Sequence, residues 1–140
     1  MKQIFFLLFF SSALLASCQH SGNGKVSGEA LAAKAHAGVI SEVLPANAYK
    51  AKMAELGENF QLLDVRTPEE YNQGHIEGAM NINFYDEDFA RQLEQNLNKD
   101  KPVMLYCRSG RRSASAAGQL EAMGFKEIYD LKGGFLDWKE

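Results

Sequence analysis

The stretch Tyr106-Cys107-Arg108-Ser109-Gly110-Arg111-Arg112-Ser113 sets one thiol among three guanidinium groups, two serines and a glycine. An apolar run over 102–106 reads as a strand, and a small-residue stretch over 113–123 reads as a helix. The cysteine therefore sits in a strand-to-helix turn. Backbone amides at such a turn, the positive end of the helix dipole and nearby cations all favour an anion, so they favour thiolate over thiol. A thiolate is a nucleophile, and a loop that stabilises it also accommodates an anionic reagent. The sequence alone does not say which of Arg108, Arg111 and Arg112 turns inward.

These residues need a scaffold, and the composition supplies one. A chain of 140 residues is long enough for one domain with a leader. A net charge of −3 with 24% charged residues describes an ordinary mixed surface and argues against a nucleic-acid binder, which carries a basic face. The two cysteines, Cys18 and Cys107, stand in such different contexts that two separate roles are expected. No metal site or cofactor is expected, because His20 and His36 have no ligating neighbours in their segment. The chain is expected to be a monomer.

Lys2 followed by the apolar residues 4–10 and 13–15 has the form of an export signal, too short to span a bilayer, which takes about 20 residues. It ends in Leu15-Ala16-Ser17-Cys18, which resembles the lipobox of bacterial lipoproteins. The resemblance implies a signal peptide over 1–17, lipid on Cys18 and anchoring to the bacterial envelope on its periplasmic face. Gln19 at the next position implies the outer membrane if the cell is Gram-negative. Each buried methylene of the acyl chains contributes about 0.8 kcal/mol of membrane binding. Residues 18–38 are rich in Gly, Ser, Ala and Lys and read as a flexible tether, with the globular part over 39–140.

Within that part, strand signals at 39–44, 60–65, 80–83, 102–106 and 127–131 alternate with helical stretches. Pro45 opens the first helix, with Tyr49, Met53 and Leu56 on one face. Thr67-Pro68-Glu69-Glu70 is a capping box with proline at the first helical position, and that short helix is expected to stop at Gly74. Phe89, Leu93 and Leu97 mark a third helix, and Gly133-Gly134 is expected to turn into a terminal helix carrying Trp138. The alternation predicts an α/β fold of three layers, a mainly parallel five-stranded sheet with helices on both faces. Sites in such folds lie beyond the carboxyl ends of the strands, where Cys107 falls.

Four motifs occur in order: Leu63-Asp64-Val65-Arg66, Tyr71 through Gly74-His75-Ile76-Glu77-Gly78-Ala79, the Cys107 loop, and Gly133-Gly134-Phe135-Leu136-Asp137-Trp138. Together they resemble the single-domain rhodaneses, which are sulfurtransferases. The resemblance implies that Cys107 takes sulfane sulfur from a small anionic donor such as thiosulfate and yields it to cyanide or a thiol, including that of a redox protein. It implies Cys107 as nucleophile, with Arg108, Ser109, Gly110, Arg111 and Arg112 as the cradle for the donor. Ser113 is expected to cap or begin the helix. Asp64 and Arg66 are expected to support the site as an ion pair, formed with each other, with Glu70 or with the loop. His75 is expected to be a turn residue and no base.

Other chemistries share a thiolate in an anion-binding loop. Cysteine phosphatases and arsenate reductases are the nearest, but the phosphatase signature places arginine six residues after the cysteine, and Ser113 stands there. A persulfide carrier that discharges only to a dedicated partner, or a protein-binding rhodanese module, also remains open.

Overall fold

The structure, a computed structural model, describes residues 38–138. The expected leader, Cys18, both tether histidines and the tether up to residue 37 lie outside them.

Five strands, β1 (Ile40–Leu44), β2 (Gln61–Asp64), β3 (Met80–Asn81), β4 (Val103–Tyr106) and β5 (Glu127–Leu131), form one sheet in the order β1-β5-β4-β2-β3. Every pairing is parallel. Four helices connect them: α1 (Ala46–Leu56), α2 (Pro68–Asn72), α3 (Phe89–Asn96) and α4 (Arg111–Ala122). A 3-10 turn, Gly134–Leu136, follows β5.

Alternation along the strands divides the core in two. On one face Leu63, Val65, Val103, Leu105 and Ile128 meet Phe89 and Leu93 of α3 and Ala116, Ala117 and Leu120 of α4. On the other, Leu62, Met104, Tyr106, Tyr129 and Leu131 meet Tyr49 of α1, with Met53, Leu56 and Tyr71 at the margin. The expected three layers are present. β4 is buried on both faces because it lies in the middle of the sheet, which accounts for its unbroken apolar sequence. Small residues on α4 let that helix approach closely. Truncating a filled position such as Leu120, which is fully buried, costs about 2–5 kcal/mol.

Chain order explains where the site lies. From β2 the chain runs outward to β3 through α2, returns through α3 to β4, and then runs outward the other way to β5. The direction reverses between β2 and β4, and their carboxyl ends open a crevice there. Asp64 ends β2 and Tyr106 ends β4, one residue before the thiol.

Two expectations about helices change. α4 begins at Arg111, two residues earlier than the small-residue run suggested. Gly110, in the left-handed region at φ 95°, ends the loop, so Arg111 and Arg112 already belong to the first helical turn. The expected terminal helix is only the 3-10 turn. Trp138 lies after it and packs against the α1 side of the core, edge-on to Tyr49 at 6.3 Å.

Candidate active site

β4 carries Cys107 into the crevice, and the chain turns sharply enough to aim amides back at its sulfur. The Gly110 amide donates to Cys107 Sγ at 3.1 Å, and the Ser113 hydroxyl lies 3.5 Å from the same atom. Cys107 is 1% exposed, so the sulfur forms the floor of the loop. Burial pushes the thiol up, but hydrogen bonds from the Ser113 hydroxyl and from the Ser113, Ser109 and Gly110 amides outweigh it and hold the group below the ordinary thiol range. These leading causes are dipoles, and the full charges of the arginines are not among them.

The loop is held in this shape from below. The Phe135 amide donates to the Cys107 carbonyl at 2.7 Å and the Leu136 amide to the Arg108 carbonyl at 3.1 Å. With those carbonyls turned away and occupied, the amides that follow are left to face the sulfur. Gly134 lies against the loop so closely that an added Cβ would sit 2.4 Å from the Cys107 oxygen. The Gly-Gly pair is therefore part of the site's support as well as a turn.

The three arginines have separate fates. Arg112 makes a two-pronged ion pair with Glu70, Nη1–Oε2 at 2.7 Å and Nη2–Oε1 at 2.8 Å. Glu70 is also the third helical residue of the capping box that the sequence announced: its Oε2 accepts from the Thr67 amide at 3.1 Å, and its own amide donates to Thr67 Oγ1. The Arg112 guanidinium beside it pulls the Glu70 carboxyl down to about 2. Arg108 and Arg111 are exposed and line an open cleft of about 500 Å³ together with Thr67, Glu70, Tyr85, Ser109 and Arg112. A second cleft of about 420 Å³, on the other side of Arg108, is walled by Arg66, Glu70, Gly74, Phe135 and Leu136. An anionic ligand over the loop would thus meet two solvent-facing guanidiniums and one already neutralised.

A model of the Rhodanese-like domain matches residues 46–140, which include every element just described from α1 onward. The chain belongs to the rhodanese-like family. Among curated relatives, YqhL of Bacillus subtilis, an uncharacterised protein, is 47% identical over 78 residues, covering 56% of this chain and 60% of that one. Thiosulfate sulfurtransferase GlpE of Shewanella oneidensis is 37% identical over 83 residues, 59% of this chain and 79% of that protein. Thiosulfate sulfurtransferase 18 of Arabidopsis thaliana is 32% identical over 108 residues, 69% and 79% of the two chains. The chain thus spans less than two thirds of YqhL and about four fifths of the two sulfurtransferases. Among solved structures, the rhodanese-like domain of Alr3790 from Anabaena superposes with TM-score 0.62 at 29% identity, over 71% of this chain and 74% of that one. A rhodanese-like domain protein of Staphylococcus aureus gives 0.61 at 29% identity, over 71% and 92%.

Of the residues expected at this rhodanese-like site, Cys107, Ser109, Gly110 and Ser113 converge on one sulfur. Ser113 is not the cap: it stands at the third helical position, where its hydroxyl donates back to the Gly110 carbonyl at 3.1 Å and faces Sγ. Asp64 and Arg66 pair with each other, Nη2–Oδ2 at 2.6 Å, with the Arg66 Nε at 3.0 Å from both carboxylate oxygens. The pair is buried on the α1 face of the sheet, and Arg66 also donates to the Gly74 carbonyl at 2.8 Å and lies over the Phe135 ring at 4.2 Å. It braces the 3-10 turn and the Gly74 corner and does not face the sulfur. His75 is exposed and stacks on Tyr71 at 3.8 Å, as a turn residue.

Sequence reasoning missed three contributors. Glu70 was expected as a capping-box residue and as an alternative partner for Asp64 and Arg66, not as the clamp of Arg112. The Phe135 and Leu136 amides carry no signal in residue type. Tyr85, 62% exposed, joins the cleft from the segment between β3 and α3, with the Arg112 guanidinium 5.5 Å from its ring centre. Among the described residues, no group of three or more His, Cys, Asp or Glu side chains is placed to hold a metal ion.

Proposed function

We propose that this chain is a sulfurtransferase that moves sulfane sulfur through a Cys107 persulfide. One observation carries the reading: a buried thiol made more acidic by hydrogen bonds from amides and a hydroxyl, under a cleft lined by two exposed guanidiniums. The thiosulfate sulfurtransferases among its relatives support it.

In the first half-reaction the Cys107 thiolate attacks the outer sulfur of thiosulfate. A new S–S bond forms, the old one breaks, and sulfite leaves with the bonding pair. Arg108 and Arg111 hold the dianionic donor, and sulfite leaves through the open cleft that they line. The charge now rests on the outer sulfur of the persulfide, inside the amide ring that had faced the thiolate. In the second half a cyanide or thiolate acceptor attacks that outer sulfur, and the bond to Cys107 breaks to restore the thiolate. One difficult transfer becomes two displacements, and neither needs a proton taken from the nucleophile. The turn behind the loop supplies preorganisation, because its amides fix the carbonyls and leave the loop's own amides aimed at the reacting sulfur.

The chain acts, in this reading, at the periplasmic face of the bacterial envelope, exported by its leader and tethered through lipid on Cys18. The Leu15-Ala16-Ser17-Cys18 sequence supports that placement. Loss of labelled palmitate incorporation in Cys18→Ser would support it, and equal labelling would refute it.

The decisive test for the chemistry uses the chain with Cys18→Ser, which leaves one thiol. Its intact mass after thiosulfate should rise by one sulfur and return to the starting value on cyanide, and Cys107→Ser should show no gain. Sulfur uptake by the Cys107→Ser protein, or none by the parent while Cys107 still alkylates, refutes thiosulfate transfer by this route.

A further inference from the structure

The cleft over the loop is lined by three arginines, Arg108, Arg111 and Arg112, and by one carboxylate, Glu70. A carboxylate weakens a site for anions, yet this one is fixed there. Glu70 Oε2 accepts from the Thr67 amide at 3.1 Å, and the two Glu70 oxygens take the Arg112 guanidinium at 2.7 and 2.8 Å. The Tyr85 ring centre is 5.5 Å from the same guanidinium, so Arg112 lies between a carboxylate and a ring. With its carboxyl at about 2, Glu70 is ionised at neutral pH. Once the Cys107 thiolate at the floor is counted with Glu70, the arginines exceed the anions by a single charge.

Size points the same way as charge. The cleft of about 500 Å³ falls within the range of about 300–1,000 Å³ that holds organic ligands, and an inorganic donor fills only a small part of it. Its outer wall is Tyr85, 62% exposed. The turn that carries Tyr85 is held by Asn83, whose side chain accepts from the Tyr85 amide at 3.2 Å and donates to Asp86 at 2.7 Å. A ring fixed at the mouth of a charged cleft offers apolar contact to a carbon group beside the anion.

We propose that the donor this cleft prefers is an organic monoanion with a terminal sulfane sulfur, R–SO2–S⁻ or R–S–S⁻, with Glu70 setting the charge preference through Arg112 and Tyr85 receiving the R group. The Cys107 thiolate attacks the terminal sulfur and a new S–S bond forms. The bond from that sulfur to the R-bearing sulfur breaks, and sulfinate or thiolate leaves with the bonding pair. A monoanion balances the single excess charge, whereas a dianion such as thiosulfate leaves the cleft negative around the thiolate. Specificity of this kind comes from a group set against the competitor as well as from contacts with the preferred ligand. Thiosulfate remains a substrate, less well matched.

The inference rests on the persulfide reading and names the donor within it. In the chain with Cys18→Ser, the rate of sulfur gain by intact mass is compared for thiosulfate, methanethiosulfonate and benzenethiosulfonate, in the parent, Glu70→Gln and Tyr85→Ala. Glu70→Gln releases Arg112 and should raise the thiosulfate-to-methanethiosulfonate rate ratio about fivefold. Tyr85→Ala should lower the benzenethiosulfonate-to-methanethiosulfonate ratio about fivefold. Ratios taken within one protein cancel any change in the thiol itself. An unmoved first ratio overturns the role of Glu70, and an unmoved second ratio overturns the preference for an organic group. A measurement on the parent chain, without sulfur transfer or substitution, separates the two readings and also decides where a variant fails to fold: protection of Cys107 from alkylation by iodoacetamide. Benzenesulfonate should protect at roughly fivefold lower concentration than sulfate. Sulfate protecting equally well or better overturns the inference even if every donor loads sulfur, while the expected order with no sulfur gain from any donor upholds the preference of the cleft and refutes the persulfide reading alone.

Discussion

Gly134→Ala tests whether the loop's shape, as distinct from its sequence, makes the site. Gly134 has φ +63°, and a Cβ there would lie 2.4 Å from the Cys107 oxygen and 2.6 Å from the Arg108 carbonyl carbon. Ordinary contact begins at 3.4 Å, so the loop would have to retreat by about 1 Å. The left-handed backbone costs alanine about 1–2 kcal/mol, and overpacking against backbone adds about 1–3. The sum, about 2–5 kcal/mol, corresponds to a fall in Tm of roughly 10 °C or more for a domain of about 100 residues. Retreat of the loop also lengthens the bonds that Phe135 and Leu136 make to its carbonyls, and it turns the amides off the sulfur. A misplacement of about 1 Å can cost about a hundredfold in rate. Gly133→Ala is the matched comparison: its φ is +74°, but the atoms nearest its Cβ belong to the Asp137 side chain, whose carboxylate can rotate away, and not to the loop backbone. The assay is sulfite release from thiosulfate together with the pH profile of Cys107 alkylation. Gly134→Ala should lose about a hundredfold in turnover, with its thiol shifted toward the ordinary range, while Gly133→Ala loses stability alone. Equal turnover and equal thiol acidity in the two variants would show that the turn does not shape the site.

Glu70→Gln should lower stability at neutral pH by about 1 kcal/mol, since the pair is partly solvated, with side chains 26% and 13% exposed. The Glu70 carboxyl lies at about 2 in the folded chain against 4.5 unperturbed, so its contribution is full above about 4.5 and is lost as pH falls through about 2. The gap between the two urea midpoints should accordingly narrow with acidification, and a gap independent of pH would count against the pair. Asp64→Asn leaves the Arg66 cation buried without its partner and should cost about 3–5 kcal/mol by chemical denaturation; a loss under about 1 would show that the pair is not the brace described. Arg111→Gln should raise KM for thiosulfate roughly fivefold with kcat nearly unchanged, matching the loss of about 1 kcal/mol from an exposed charge, and an unchanged KM would remove Arg111 from the donor's path.

The order of strands and helices was legible in the sequence because each signal is local. Alternation, the Thr67 capping box and the Gly110 turn depend on residues within a few positions of one another, and β4 announced its central place by an apolar run that only a strand covered on both faces tolerates. Helix ends were less legible. Ser113 resembles a cap by residue type, yet the left-handed Gly110 starts α4 two residues sooner, because backbone conformation decides where a helix begins. Cys107 could be singled out from its neighbours alone, since a thiol in an Arg- and Gly-rich strand-to-helix turn has few other physical uses. What sequence by itself determined, then, is the thiol in its strand-to-helix turn and the layered fold that presents it. Only the tertiary structure decided which groups surround that thiol. The Phe135 and Leu136 amides and the Glu70 clamp come from segments 28 to 42 residues away from the site residues they serve, and the site they build exists only once β2, β4 and β5 are side by side. Hydrogen bonds and ion pairs are set by distances of a few ångström in space, to which separation along the chain gives no guide.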